Sequence, residues 1–364
     1  MQTSIVMQTP KDIQQKLYDA LEQIEPFKHC ALLSFPDHYN VGDHLIWLGQ
    51  VFYLRKVLNV DISYASSIEK FSPEVMQRRL PEGAPLLICG GGNLGDVWSY
   101  YQRFYERIVR EYPDRRIIIF SQAVKFRYPN RLEEAKSVFN SHPDLTIFIR
   151  DHYSYAVASE HFSSCKVLQA PDMAFALSGL SGLKSDYKSK SDVLYHCRND
   201  HEFNREFDDK GFEIDKMKTE DWQSFRFKGS PRVASVAGVK WLFQYSWEQG
   251  QILPFEWVER QYWQRFHRDL QYLKDTPEQH LHLKSWMFMH HGVYQFKKYR
   301  LIVTNRLHGH ILATLMEIPH VFLANSYHKN LGFYETWTGD VPYCRFVKDP
   351  SNVARAAKEL MSLT

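Results

Sequence analysis

Residues able to move a proton or grip an anion stand together in Thr304–Asn305–Arg306–Leu307–His308–Gly309–His310. The run follows the apolar segment Leu301–Val303 and leads into helical spacing at Ile311, Leu312 and Leu315. An apolar run, a polar turn and a helical pattern place Arg306, His308 and His310 at the carboxyl edge of a parallel strand. That edge is where open α/β sheets bind ligands. An arginine fork beside an imidazole acid suits a small, strongly anionic substrate.

Comparable strand ends recur along the chain. Arg198 follows Val193–Cys197, with Asp200 and Glu202 close behind, and Lys329 follows Val321–Leu323. Successive strand ends of the second half therefore each deliver a cation, which favours an anion pocket over independent surface charges. In the first half Arg150 follows Leu145–Ile149. It either binds a substrate anion or pairs with Asp151 or another acid. Gln122 follows Ile117–Phe120, and Pro171–Asp172 follows Lys166–Leu168 as a turn carrying an acceptor. Asn40–Val41–Gly42–Asp43 opens a helix after Ala31–Phe35. Asp43 is expected first as the helix cap, and the helix N-terminus second as an anion site. Gly90–Gly91–Gly92–Asn93 follows Leu86–Cys89 and reads as a tight strand-to-helix turn that lets a ligand approach the backbone. It matches neither the dinucleotide fingerprint nor the Walker loop.

The elements positioning these residues alternate. Trp47, Val51, Leu54 and Leu58 recur at helical spacing between the strand candidates Ala31–Phe35 and Val60–Tyr64. Tyr101, Tyr105, Ile108 and Tyr112 form another helical stripe. Strands separated by helices imply a parallel, doubly wound sheet. Ser178–Ser191, poor in large apolar residues, reads as a linker. A second α/β half follows, with a long helix expected from Phe266, Leu270 and Leu273 and a last helix over Ser351–Leu363.

A chain of 364 residues favours two domains. We therefore expect residues 1–178 as a first Rossmann-like domain, 179–350 as a second, and 351–364 as a terminal helix. Forty-five basic residues against 42 acidic give a net charge of +3, too balanced for binding to nucleic acid. The five cysteines form no C-x-x-C pair, which points to a reducing compartment. Cys30, Cys89 and Cys197 are expected as buried fillers. The polar N-terminus lacks the build of a signal peptide, and no run approaches the about 18 apolar residues of a spanning helix. His280, His282, His290 and His291 lack the spacing of a metal motif and read as a surface helix, so no metal is expected. Trp241, Phe243, Tyr245 and Trp247 in Val233–Trp247 read as packing, with a bilayer-facing patch as the alternative.

In this order, Asn40–Asp43, Gly90–Gly92, Arg150–Asp151, Pro171–Asp172, Arg198, Arg306–Leu307–His308–Gly309 and Lys329 resemble the polysaccharide pyruvyl transferase family. The resemblance implies two Rossmann-like domains facing across a cleft, as in GT-B glycosyltransferases, with the last helix often returning to the first domain. It implies phosphoenolpyruvate as donor substrate, no cofactor, and a sugar acceptor that receives a cyclic pyruvate ketal during exopolysaccharide or surface-glycan synthesis. Arg150, Arg198, Arg306 and Lys329 would hold the donor, and His308, with Arg306, would carry the catalysis. Asn40, Asp43, Gly91, Gly92, Asn93 and Gln122 would serve the acceptor or its loops. The expected location is cytoplasmic, including the inner membrane face, with a lipid-linked oligosaccharide among the acceptors; oligomeric state is open. The competing readings are a GT-B-like glycosyltransferase using a nucleotide sugar and a non-catalytic sugar-binding protein of the same fold.

Overall fold

The computed structural model describes residues 8–198, 205–207, 212–222, 258–259, 261–325 and 328–362. Asp200, Glu202 and the aromatic segment Val233–Trp247 lie outside the described residues.

The first half runs α1 (Pro10–Leu21), β1 (His29–Leu33), α2 (Val41–Phe52), β2 (Asp61–Ser66), α3 (Pro73–Arg79), β3 (Leu86–Ile88) and β4 (Gly91–Gly95). It continues through α4 (Ser99–Glu111), β5 (Ile117–Lys125), α5 (Pro129–Asn140), β6 (Leu145–Ile149), α6 (His152–His161) and β7 (Lys166–Gln169). The second half contains β8 (Val193–His196), β9 (Met217–Glu220), α7 (Gln279–Phe296), β10 (Leu301–Thr304), α8 (Leu307–Leu315), β11 (His320–Leu323), α9 (Lys329–Phe333), β12 (Cys344–Val347) and α10 (Val353–Ser362). Among the described residues, the first sheet has the order β2-β1-β3-β5-β6-β7, with β4 also on β5, and the second the order β12-β11-β10-β8-β9. Every described pairing is parallel. The architecture is therefore α/β and Rossmann-like, with helices between most consecutive strands.

Parallel sheets survive only when both faces are covered, so their strands are apolar on both sides. In β5, Ile117 and Ile119 face the helices α3 to α6, whereas Ile118 and Phe120 face the interior between the sheets. The outer face of the second sheet, through Val193, Tyr195, Leu301, Val303 and Val321, packs on α10. The interior cluster joins Leu32, Leu87 and Phe148 of the first sheet to Leu194, Ile302 and Phe322 of the second through α2, α7 and α8. Helix α7 lies against α2, so one apolar core is continuous across both halves.

Most strands read from apolar runs are present to within two residues at their ends, and β5 runs on to Lys125. Strand β4 was read as a turn. It is a glycine-rich extension of the β3 line that pairs with the far end of β5, with Gly91 at φ 145° and Gly95 at φ 130°. Side chains rarely adopt that backbone, so the segment carries no apolar pattern to read. The expected long helix around Phe266–Leu273 is instead a wide turn over Tyr262–Phe266 and a 3₁₀ helix over Arg268–Leu273, divided at His267 (ψ 130°). The expected linker packs into the interior core through Leu180 and Leu183. Helix α10 does not return to the first sheet, because its apolar face, Val353, Ala356, Ala357 and Leu360, covers the second.

The histidine reading also changes. Helix α7 is interior: Trp47 Nε1 donates to His282 Nδ1 at 3.0 Å, and His44 Nδ1 meets Ser285 Oγ at 2.8 Å. Burial drives His44 and His282 down to about 3, and His320 down to about 4. In the unfolded chain such residues titrate near 6.5. Below that pH the unfolded chain takes up protons that the folded one refuses, so the stability present above about pH 6.5 is lost as pH falls toward the folded values. The thermal unfolding midpoint should therefore drop steadily from pH 7 to pH 4.5; an unchanged midpoint over that interval would contradict the buried, neutral state of these imidazoles.

Candidate active site

The carboxyl ends of both sheets open onto one recess of about 400 Å³. Asn40, Asp43, Gly92, Asn93, Arg150, Arg198, Arg306, His308 and Lys329, all expected from sequence, line it. Cations from separate strand ends thus meet in one place, with His308 among them.

Helix α2 enters from the end of β1. Its cap is Asn40, not Asp43: Gly42 N–H donates to Asn40 Oδ1 at 3.1 Å, while Asn40 Nδ2 donates to Asp43 Oδ2 at 2.7 Å. Asp43 is left to face the recess. Burial pushes its carboxyl up, but His38, His308, His44 and Lys329 outweigh this and hold it below its ordinary range. The next residue back, Gly42, is the wall behind His308. A Cβ there would lie 2.3 Å from His308 Nδ1.

Behind the recess, Arg150 NH1 donates to Asp172 Oδ2 at 2.6 Å, with both side chains almost wholly buried. Arg150 therefore pairs with Asp172, whereas Asp151 caps α6 by accepting from Ser154 N–H at 2.8 Å. Asp172 Oδ1 also accepts from Ala174 N–H at 3.0 Å. His308 Nε2 is buried, stands 3.5 Å from the same Asp172 Oδ2 and has no closer hydrogen-bonding partner. Burial alone would raise the Asp172 carboxyl, but His308 and Arg150 hold it well below the usual range, as an anion. Charge and geometry therefore direct an Nε2 proton of His308 toward Asp172.

Arg306 closes the other side. It precedes α8 in extended backbone (ψ 126°), and its Nε and NH2 grip the two oxygens of Asp221, the latter at 2.6 Å. Beside that pair, Trp222 reaches the recess and stacks on Phe296 at 5.5 Å. Arg198 lies at the rim with its N–H donating to Asn305 Oδ1 at 3.0 Å. Lys329 begins α9 and approaches Gly92, where a Cβ would lie 3.6 Å from its Nζ and 3.1 Å from Arg150 NH2.

Two expected site residues do not reach the recess. Gln122 is fully buried: its Nε2 donates to Cys89 O at 2.8 Å and its Oε1 accepts from Asn93 N–H at 3.2 Å. It staples the kink between β3 and β4. Gly91 is buried within that kink and absent from the lining. His310 is also structural. Its Nδ1 lies 2.8 Å from His320 Nε2, while His320 Nδ1 donates to Ile318 O at 2.8 Å and His310 Nε2 meets Thr338 Oγ1 at 2.9 Å. Cys344 completes this trio, whose polar atoms lie within 4.8 Å of one another, and hydrogen bonds account for both imidazoles. Of the cysteines expected as fillers, Cys30 and Cys89 are buried, but Cys197 is only half-buried and accepts from Asn305 Nδ2 at 3.3 Å.

Sequence reasoning missed His38, Trp98, Tyr101, Trp222 and Asp221. Trp98 and Tyr101 line the recess from the loop and first turn after β4. Their position just past a glycine-rich strand end was the available signal. Asp221 and Trp222 directly follow β9, a strand of mixed polarity with no apolar run to announce it.

The polysaccharide pyruvyl transferase family model matches residues 40–327, which contain every expected recess residue except Lys329. The chain belongs to this family. It is 27% identical over 342 residues to EpsO of Bacillus subtilis, named as a candidate pyruvyl transferase, across 93% of this chain and 94% of that protein. It is 26% identical to pyruvyl transferase 1 of Schizosaccharomyces pombe, across 85% of this chain and 70% of that protein. A crystal structure of an uncharacterized Klebsiella pneumoniae protein shares the fold, with a TM-score of 0.54 at 17% identity over 93% of this chain and 99% of that one. Among the described residues, no helix is long and apolar enough to cross a membrane.

Substitutions at two places probe this geometry. Asp172→Asn leaves Arg150 buried without its counter-ion and should destabilise the fold by about 3 kcal/mol in urea unfolding. The double change Arg150→Met/Asp172→Leu should cost much less than the sum of Arg150→Met and Asp172→Leu made singly, and strict additivity of those two single changes would refute the pairing. Gly42→Ala sits in helical backbone, where alanine is favoured by about 1 kcal/mol. It should reduce turnover more than stability, because the added methyl must displace the His308 ring.

Proposed function

We propose that this chain transfers the enolpyruvyl group of phosphoenolpyruvate to a sugar and closes it into a pyruvate ketal. The observation carrying this reading is the convergence of Arg150, Arg198, Arg306 and Lys329 around His308 in one recess. Phosphoenolpyruvate places a carboxylate and a phosphate on three carbons, so it needs several fixed cations of different direction. The two parallel sheets act as GT-B-like lobes, residues 1–178 and 179–350, with donor cations chiefly on the second. Asn40, Asp43 and Asn93 form the acceptor side.

In this mechanism the imidazolium of His308, its Nε2–H directed to Asp172, delivers its Nδ1 proton to the donor's methylene carbon. The electron deficiency falls on the central carbon, which one sugar hydroxyl attacks while phosphate departs. A second hydroxyl of the same sugar then adds to that carbon and closes the ring, and the hydroxyl protons pass to basic groups and phosphate. Asp172 acts from behind, fixing the orientation of the imidazole, while Arg306 exchanges Asp221 for the donor's anionic oxygens. Five unpaired cysteines and a phosphorylated metabolite as donor support a cytoplasmic setting.

Incubation with phosphoenolpyruvate and, separately, UDP-sugars decides between this reading and a nucleotide-sugar transferase. Phosphate release and a pyruvyl mass adduct on the acceptor are expected with phosphoenolpyruvate; nucleotide release from a UDP-sugar would overturn the assignment. His308→Gln should lower kcat by about 100-fold or more. Wild-type turnover in that variant would remove His308 as the acid. Arg306→Lys should weaken donor binding by about tenfold, measured as a smaller thermal shift at fixed phosphoenolpyruvate, because a point charge cannot replace a fork.

A further inference from the structure

Seven large aromatic residues are exposed among the described residues, by 38% to 71%, and five of them share one edge: Tyr39, Trp98, Tyr100, Tyr128 and Tyr153, with Tyr262 and Phe266 elsewhere. Tyr39 lies in the loop after β1, Trp98 and Tyr100 follow β4, Tyr128 precedes α5 after β5, and Tyr153 begins α6 after β6. The parent strands are neighbours in the order β1-β3-β5-β6, with β4 prolonging the β3 line on β5. At about 4.8 Å between strands, the row spans about 14 Å along the carboxyl edge.

The row begins at the recess. Trp98, Asn93 and Lys329 line the recess and also an adjoining narrow depression, which continues to Ser154 and His328. The ring of Tyr153 stands 4.8 Å from that of His328, at the far end of this depression. The rings do not fuse into one apolar surface. Tyr100 donates its hydroxyl to Glu69 at 3.2 Å, and Asp96 accepts from the backbone of Arg127 and Tyr128 at 2.8 Å. Flat faces set apart by charged and hydroxyl groups are poorly suited to a lipid surface or a packed protein interface, which want contiguous apolar area. They suit a ligand made of repeated units, each with a C–H face and a hydroxyl edge.

We infer that the carboxyl edge of the first sheet is an extended saccharide-binding track. The sugar to be modified enters the recess beside Trp98, and two or three further units of the same oligosaccharide lie on Tyr128 and Tyr153. The inference rests on the sugar-acceptor reading above and deepens it by placing the units beyond the modified sugar on Tyr128 and Tyr153.

Saturation-transfer NMR and calorimetry with galactose, glucose and N-acetylglucosamine series of one to four β-linked units test the track. In at least one series the affinity should rise by about tenfold or more from one unit to four. Tyr128→Ala/Tyr153→Ala should cancel that gain and leave the affinity for the single unit as it was. Tyr128→Leu/Tyr153→Leu, which keeps apolar bulk without a flat face, serves as a second variant, and unchanged unfolding midpoints show that both are folded. Affinity independent of length in every series, no binding at any length, or a gain that survives both double variants would overturn the inference. Phosphate release from phosphoenolpyruvate is read separately. Length-dependent binding without donor turnover would leave the track standing and remove the donor reading, whereas donor turnover with length-independent binding would do the reverse.

Discussion

The ion pair of Arg150 and Asp172 is the constraint around which the site is arranged. Two charges with almost no exposure must be matched closely, since an unpaired ion in that environment costs several kcal/mol. Asp172 meets this demand with Arg150, the Ala174 N–H and the facing His308. The pair joins the tips of β6 and β7 and presents a fixed anion to α8, which belongs to the other sheet. Buried pairs of this kind contribute little net stability compared with apolar packing. Its position beneath the imidazole gives it a role in orientation that an apolar pair could not supply.

Glycines then set how closely the elements approach. Gly42 lets α2 come up against His308, and Gly92 leaves room for Arg150 and Lys329. Gly309, one residue after His308, lets α8 press onto the second sheet: a Cβ there would stand 2.5 Å from both His196 Nδ1 and Thr304 Oγ1. The imidazole is thus fixed by absent side chains on two helices as much as by present ones.

Much of this was legible from residue order. Apolar runs such as Leu145–Ile149 and Leu301–Val303 announce strands, and the polar residues directly after them, Arg150, Arg198, Arg306 and His308, do meet. Partnership was not legible. Nothing local says that Arg150 reaches Asp172 instead of Asp151, because the pairing depends on how β6 and β7 end relative to each other. Asp221 was invisible for a related reason: β9 is largely polar, with no buried residue to announce a strand, and the contact of Asp221 with Arg306 spans 85 positions of chain. The role of Gln122 was open because a polar residue past a strand looks the same whether it serves a ligand or, as here, braces the loop of Asn93. His282 and His290 were misread because α7 buries its imidazoles together with Leu281, Trp286, Met289 and Phe296 on several faces, so no single apolar stripe tells the covered side from the wet one.

The continuous core through α2 and α7 bears on how substrates come and go. Trp47, Trp286, Met289 and Phe296 are all buried between the sheets. Wetting each large side chain of this kind costs about 1.5–3 kcal/mol, so hinged separation of the two halves would cost more than a small ligand can return. Entry and exit therefore fall to the movable parts at the mouth: long cationic side chains and short loop tips above a base that stays shut. Among the described residues the base of the recess is therefore fixed, and the long side chains at its mouth are what can move.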